Sequence, residues 1–209
     1  MNNQRTLALL AVALLTGPMT AQAVTLQIDV SGILTGASDV DVGGTLYNVQ
    51  FLDGSCVSLF TGCDHATDDF AFTTTADAVI AAQALLDQVF TDTTLGQFDT
   101  HPELTNGCTE PGFCGVFTPY AISNSAVALV DVENFFLDGF DGVIEFTSDP
   151  NMDTTQNGFF TFAVWSLASV PEPGTLVLLG VGLFGLGLTR RRSPQDSAGS
   201  DARLSTRPL

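Results

Sequence analysis

Over the first quarter of the chain beyond residue 23, apolar and polar positions alternate with a period of two. Val24, Leu26, Ile28 and Val30 are separated by Thr25, Gln27, Asp29 and Ser31, and Tyr47, Val49 and Phe51 repeat the pattern after Gly43-Gly44. Successive strand side chains point to opposite faces, so this spacing predicts two half-buried strands, the second pairing back on the first. Between Thr73 and Phe90 the period changes. Val79, Ala82, Leu86, Val89 and Phe90 fall on one helical face, Asp77 lies near its start, and Thr73 to Thr75 offer an N-cap. Residues 91–114 are polar and rich in turn formers, which predicts loop. Strands are expected again at Val116–Ala121, Ala126–Val132, Val143–Phe146 and Phe159–Leu167, the second and fourth apolar on both faces as central strands are. This order predicts an α+β domain: an antiparallel sheet of about five to six strands with one main helix packed on a face.

The two ends carry other patterns. Arg5, the apolar run Leu7–Leu15, the helix breakers Gly17-Pro18 and the small residues Ala21 and Ala23 form the three parts of a secretory signal peptide, residues 1–23, with cleavage before Val24. At the other end, Val170-Pro171-Glu172-Pro173-Gly174 is stiff and extended, because each proline fixes its own φ and disfavours helix in the residue before it. Residues 175–189 carry no charge and predict a C-terminal hydrophobic helix, closed by Arg190, Arg191 and Arg192. An arginine cluster after an apolar segment stays in the cytoplasm, which places residues 24–169 outside. The apolar segment falls short of the ~20 residues of a full span, as suits brief retention in the membrane. Residues 193–209 form a polar tail expected to be disordered.

Pro171-Glu172-Pro173, the glycine-rich apolar segment and the three arginines together resemble the PEP-CTERM sorting signal of Gram-negative bacteria. The resemblance covers residues 170–192 and implies processing by an exosortase, a membrane transpeptidase-like enzyme. It also implies delivery of residues 24–169 to the cell envelope or extracellular matrix, by way of an inner-membrane intermediate. Leu46–Cys56, Leu59-Phe60, Gly62-Cys63-Asp64 and Ala84–Phe90 look similar to other PEP-CTERM passengers, a likeness that implies a defined domain and no activity.

Charge narrows the possibilities. The net charge is −17, and all six basic residues are arginines located at Arg5 or after Leu188. Residues 24–169 contain sixteen Asp and four Glu with no Lys or Arg. Nucleic-acid binding, which needs a basic surface, is excluded. So are phosphate-grasping enzymes that rely on a lysine or arginine within the domain. Fifteen Phe in the same segment give it the means to bury a core. Outside the cell the remedy for so many like charges is a divalent ion or salt.

Four cysteines, Cys56, Cys63, Cys108 and Cys114, permit three disulfide connectivities. Nearness pairs Cys56 with Cys63 and Cys108 with Cys114, and an oxidising compartment favours such bonds. For metal chemistry, Asp149, Asn151 and Asp153, continued by Thr155 and Asn157, place an oxygen at every second position, as the start of a calcium loop does. Thr154 and Phe160 stand where an EF-hand requires Gly and Glu, so this is not an EF-hand. Asp, Asn and Gly are equally ordinary turn formers. The expected function is therefore a non-enzymatic envelope or matrix protein that binds extracellular polysaccharide or calcium. The alternative is a secreted carbohydrate-active hydrolase using an acidic pair among Asp64, Asp68 and Asp69, close to His65.

Overall fold

The computed structural model describes residues 23–169 apart from 124 and 138. The leader up to Ala21, the sorting motif Pro171-Glu172-Pro173, the 175–189 segment, Arg190–Arg192 and the 193–209 tail lie outside the described residues.

The domain is mostly β. Strands β1 (Thr25–Ile28), β2 (Leu34–Val42) and β3 (Thr45–Leu52) are followed by two four-residue helices, α1 (Cys56–Leu59) and α2 (Ala66–Asp69). The main helix, α3, spans Thr75–Gln88. A small hairpin, β4 (Asp92–Thr93) and β5 (Gly96–Gln97), precedes β6 (Phe113–Ser123), β7 (Ala126–Phe135), β8 (Gly142–Ser148) and β9 (Phe160–Leu167). Seven strands form one sheet in the order β1-β2-β3-β9-β6-β7-β8, and β4-β5 stands apart. The two meanders β1-β2-β3 and β6-β7-β8 are thus joined by the last strand. β9 runs antiparallel to β3 and parallel to β6, so the sheet is mixed where an antiparallel one of five to six strands was expected.

Two expectations fail for identifiable reasons. β3 pairs with β2, not with β1. β2 escapes a period-two reading because a bulge between Ala37 and Val40 puts Asp39 at φ 60° and spaces the buried Leu34, Ala37, Val40 and Val42 irregularly. Neighbours in sequence usually pair in space, but residues 149–159 carry the chain back from β8 and insert β9 at the centre. Val30, read as part of the first strand, lies in the β1–β2 turn and is exposed.

The sheet has a core on each face. On one, α3 lays Ala78, Ala81, Ala82 and Leu85 against β2, β6 and β7, where Val40, Val116, Val130 and Val132 are buried. The alanine stripe allows close approach of helix to sheet, while Val79 and Leu86 are only half-buried. Thr74 caps α3, its hydroxyl accepting from the Asp77 N–H at 3.2 Å. On the other face Phe117, Phe162, Leu129 and Val127 pack against Phe70 and the loop closed by Cys56 and Cys63. Fully burying each of these large side chains contributes about 1.5–3 kcal/mol.

Candidate functional site

Both cysteine pairs are disulfide-bonded as nearness suggested, Cys56 with Cys63 and Cys108 with Cys114, with Cα atoms 5.6 and 5.7 Å apart. The first staples α1 over the second face, and the second ties the chain entering β6 to its own start.

The alternating oxygens of residues 149–157 serve their own loop. The Asp149 carboxylate accepts from the backbone and side-chain N–H groups of Asn151 at 2.8 and 3.0 Å. Those donors, the backbone one foremost, hold Asp149 below the usual carboxylate range. Asp153 caps a short 3₁₀ turn, accepting from Thr155 N and Oγ1 at 3.0 and 2.8 Å. Thr154 is buried, accepting from Gly54 N at 3.0 Å and donating to Asp53 Oδ1 at 2.9 Å. Burial pushes Asp53 up, against the Thr154 hydrogen bond and with help from Asp153. Among the described residues, no three His, Cys, Asp or Glu side chains converge closely enough to hold a metal ion.

Asp64, His65 and Asp68 lie exposed at α2, with Asp69 half-buried beside them and its Oδ1 buried without a hydrogen-bond partner. His65 Nδ1 is 2.9 Å from Asp64 Oδ1, and this hydrogen bond raises the fully exposed imidazole above its ordinary value. Asp69 Oδ2 accepts from the backbone N–H groups of Asp64 and His65 at 2.9 and 3.0 Å, so it orders the start of α2. The other histidine, His101, is paired in the same way, 3.0 Å from Glu103.

Two constellations were not apparent from sequence. An open cleft of about 460 Å³ lies between the end of α3, the β4–β5 hairpin and the β7–β8 turn, lined by Asp87, Asp92, Asp99 and Asp141 over Leu86 and Phe90. Asp92 accepts from Thr100 Oγ1 at 2.8 Å and from the N–H groups of Asp99 and Thr100 at 3.2 Å. Burial is the largest single influence on Asp92 and opposes ionisation. The Thr100 hydroxyl, the two N–H groups and His101 together outweigh it and keep the carboxyl below its usual range. The loop beside this cleft exposes Phe136, Leu137 and Phe140.

The second is a buried carboxyl. Asp131, in the middle of β7, is 3% exposed, and its Oδ1 has no hydrogen-bond partner. It sits opposite Phe117 and Ile144, two residues from Glu133. Gly115 leaves room for it. A Cβ there would meet the Phe160 ring at 2.5 Å and Asp131 Oδ1 at 3.0 Å. Burial first, and the Glu133 charge second, push Asp131 up to about 7 against a hydrogen bond from the Val116 N–H. A lone acid between Val130 and Val132 in an otherwise apolar run was the sequence signal for it.

Ala23 is exposed just ahead of β1, at the sheet end where β9 also finishes. The segment beyond β9 defines the class of protein: an exported domain carrying a C-terminal sorting signal. The signal is the PEP-CTERM protein-sorting motif, whose family model matches residues 169–192, and the chain is an exosortase substrate with a membrane-associated sorting step. No curated protein and no solved structure matches the chain.

Proposed function

We propose that residues 24–169 work as a non-catalytic component of the envelope or extracellular matrix, holding acidic polysaccharide through calcium ions shared between carboxylates. The observation that carries this reading is the acidic cleft of Asp87, Asp92, Asp99 and Asp141 beside exposed Phe136 and Phe140. Flat rings offer a surface to the C–H faces of sugars, and carboxylates bind hydroxyls or cations. Most of these carboxylates are individually engaged by N–H and O–H donors, which favours weak, shared calcium of the extracellular kind, with Kd about 10⁻⁴–10⁻³ M, over one tight chelate. Non-enzymatic action fits the use of Asp69 as a cap and the burial of Asp131 away from solvent.

Thermal unfolding of the purified, disulfide-bonded protein tests the calcium part. Millimolar Ca²⁺ should raise Tm by about 2–4 °C for each kcal/mol of binding, and Asp92→Asn with Asp141→Asn should remove most of the rise. An equal rise from sodium chloride at matched ionic strength means screening alone and sinks the calcium reading. Glycan-array binding that needs calcium and fades in Phe140→Ala supports the polysaccharide part. Turnover of a glycan, abolished by Asp68→Asn and Asp69→Asn, would replace this reading with the hydrolase.

A further inference from the structure

The chain enters and leaves the β1-β2-β3-β9 half of the sheet at one end. Thr25, the first residue of β1, lies opposite Ser38, and Leu167, the last of β9, lies opposite Tyr47. Both flank the β2–β3 turn at Gly43-Gly44, where Val42 pairs with Thr45. Pairing persists to the edge of the domain, since Ala168 N donates to Leu46 O at 3.0 Å. Only Ser169 and Val170 then precede Pro171, a reach of roughly 10 Å at full extension.

At this same end opens a cleft of about 660 Å³, lined by Val24, Asp41, Gly43, Gly44, Asp87 and Gln88, among others. It is built firmly: Asp41 N donates to Gln88 Oε1 at 3.0 Å, Gln88 Nε2 donates to Asp41 O at 2.9 Å, and Gly44 N donates to Asp41 Oδ1 at 2.6 Å. Both turn glycines have positive φ, and a Cβ on Gly44 would meet nothing within 4 Å. The turn is therefore a fixed, exposed prominence beside the exit of the chain.

We propose that this end of the sheet, centred on the Gly43-Gly44 turn, is the surface the folded passenger presents to the enzyme that cleaves at the sorting motif. The proposal rests on exosortase processing of the motif. With so short a connection, an enzyme gripping Pro171–Pro173 works within roughly 10 Å of the residue where the chain leaves this end of the sheet. Asp41 and Asp87, with no lysine or arginine in the domain, suit a protein mouth better than the anionic surface of a bilayer.

The test uses the full chain in cells that carry the processing enzyme, reading the fraction that has lost its C-terminal segment. A small folded domain inserted between Gly43 and Gly44 should lower processing about tenfold or more, because productive geometry at a reacting bond tolerates little displacement. Adding about ten Gly-Ser residues between Ser169 and Val170, which lengthens the tether by roughly 17 Å r.m.s., should restore it. The same domain inserted at Gly32, in the exposed turn at the other end of β1 and β2, should leave processing unchanged. Restoration by the longer tether also shows that the inserted protein folds and is exported. Wild-type processing of the Gly43-Gly44 insertion, or a loss the longer tether fails to restore, overturns the proposal. Glu172→Ala serves as the separate control: normal cleavage of that variant would undo the sorting reading itself.

Discussion

A carboxyl held at 3% exposure beside Glu133, with one oxygen unpartnered, is costly to ionise, and Asp131 therefore keeps its proton to about pH 7. The unfolded chain releases that proton near the ordinary value of 3.8. Between these two limits the native state binds more protons than the unfolded one, so this group makes stability fall as pH rises, and the loss is complete above about 7. Asp131→Asn keeps the shape and removes the charge. Urea unfolding should show the variant gaining on wild type steadily from pH 4 to 7 and holding its lead at pH 8, on the order of a few kcal/mol at about 1.4 kcal/mol per pH unit of raised pKa. A difference that does not vary with pH would disprove the assignment. Asp149 acts in the opposite sense: its carboxylate is favoured in the fold by Asn151, and that contribution disappears as pH falls through its lowered value.

At the scale of elements, the 149–159 crossing is tied down by backbone hydrogen bonds, Val57 N to Pro150 O, Thr154 N to Gly54 O and Thr109 N to Gly158 O, and by one buried hydroxyl. Thr154 joins the 3₁₀ turn to Asp53 and Gly54 just after β3, and Thr154→Val leaves the buried Gly54 N–H without its partner. We expect a loss of about 1–3 kcal/mol in chemical denaturation, whereas Thr155→Val, on the exposed side of the same turn, should change little. This crossing also shows what could be read in advance. Helix α3 was legible because Thr74, Asp77 and an apolar stripe agree on one 3.6-residue period, and β6, β7 and β9 because their runs are long and apolar; β8, with no buried residue, was legible only from the short run at Val143–Phe146. Strand β2 was not, since its bulge at Asp39 erases the period of two. The parallel β6–β9 pair depends on a crossing that no local pattern encodes. The spacing of Asp149, Asn151 and Asp153 looks the same whether its oxygens face an ion or their own backbone; only the fold shows them capping turns. The cleft of Asp87, Asp92, Asp99 and Asp141 gathers residues from three separate elements, so sequence spacing holds no trace of it.

For the molecule as a whole, the central place of β9 outweighs any single contact. The strand sends Ala163 and Trp165 into one core and Phe162 into the other, and among the described residues it joins the two meanders within the sheet. A chain stopped before Phe160 should therefore show no cooperative unfolding transition by circular dichroism, while one stopped after Ser169 should unfold as the full passenger does; a cooperative transition in the shorter chain would contradict this. Synthesis and export proceed from the N-terminus, so β9 is the last strand to emerge, immediately ahead of the sorting motif. Until it does, β3 and β6 each wait with an open edge. The domain thus closes its sheet only when the sorting signal is itself arriving at the membrane. Maturation acquires an order: the last strand to fold and the motif to be cut are delivered in one movement, and an unfinished domain has no cleavable end to lose.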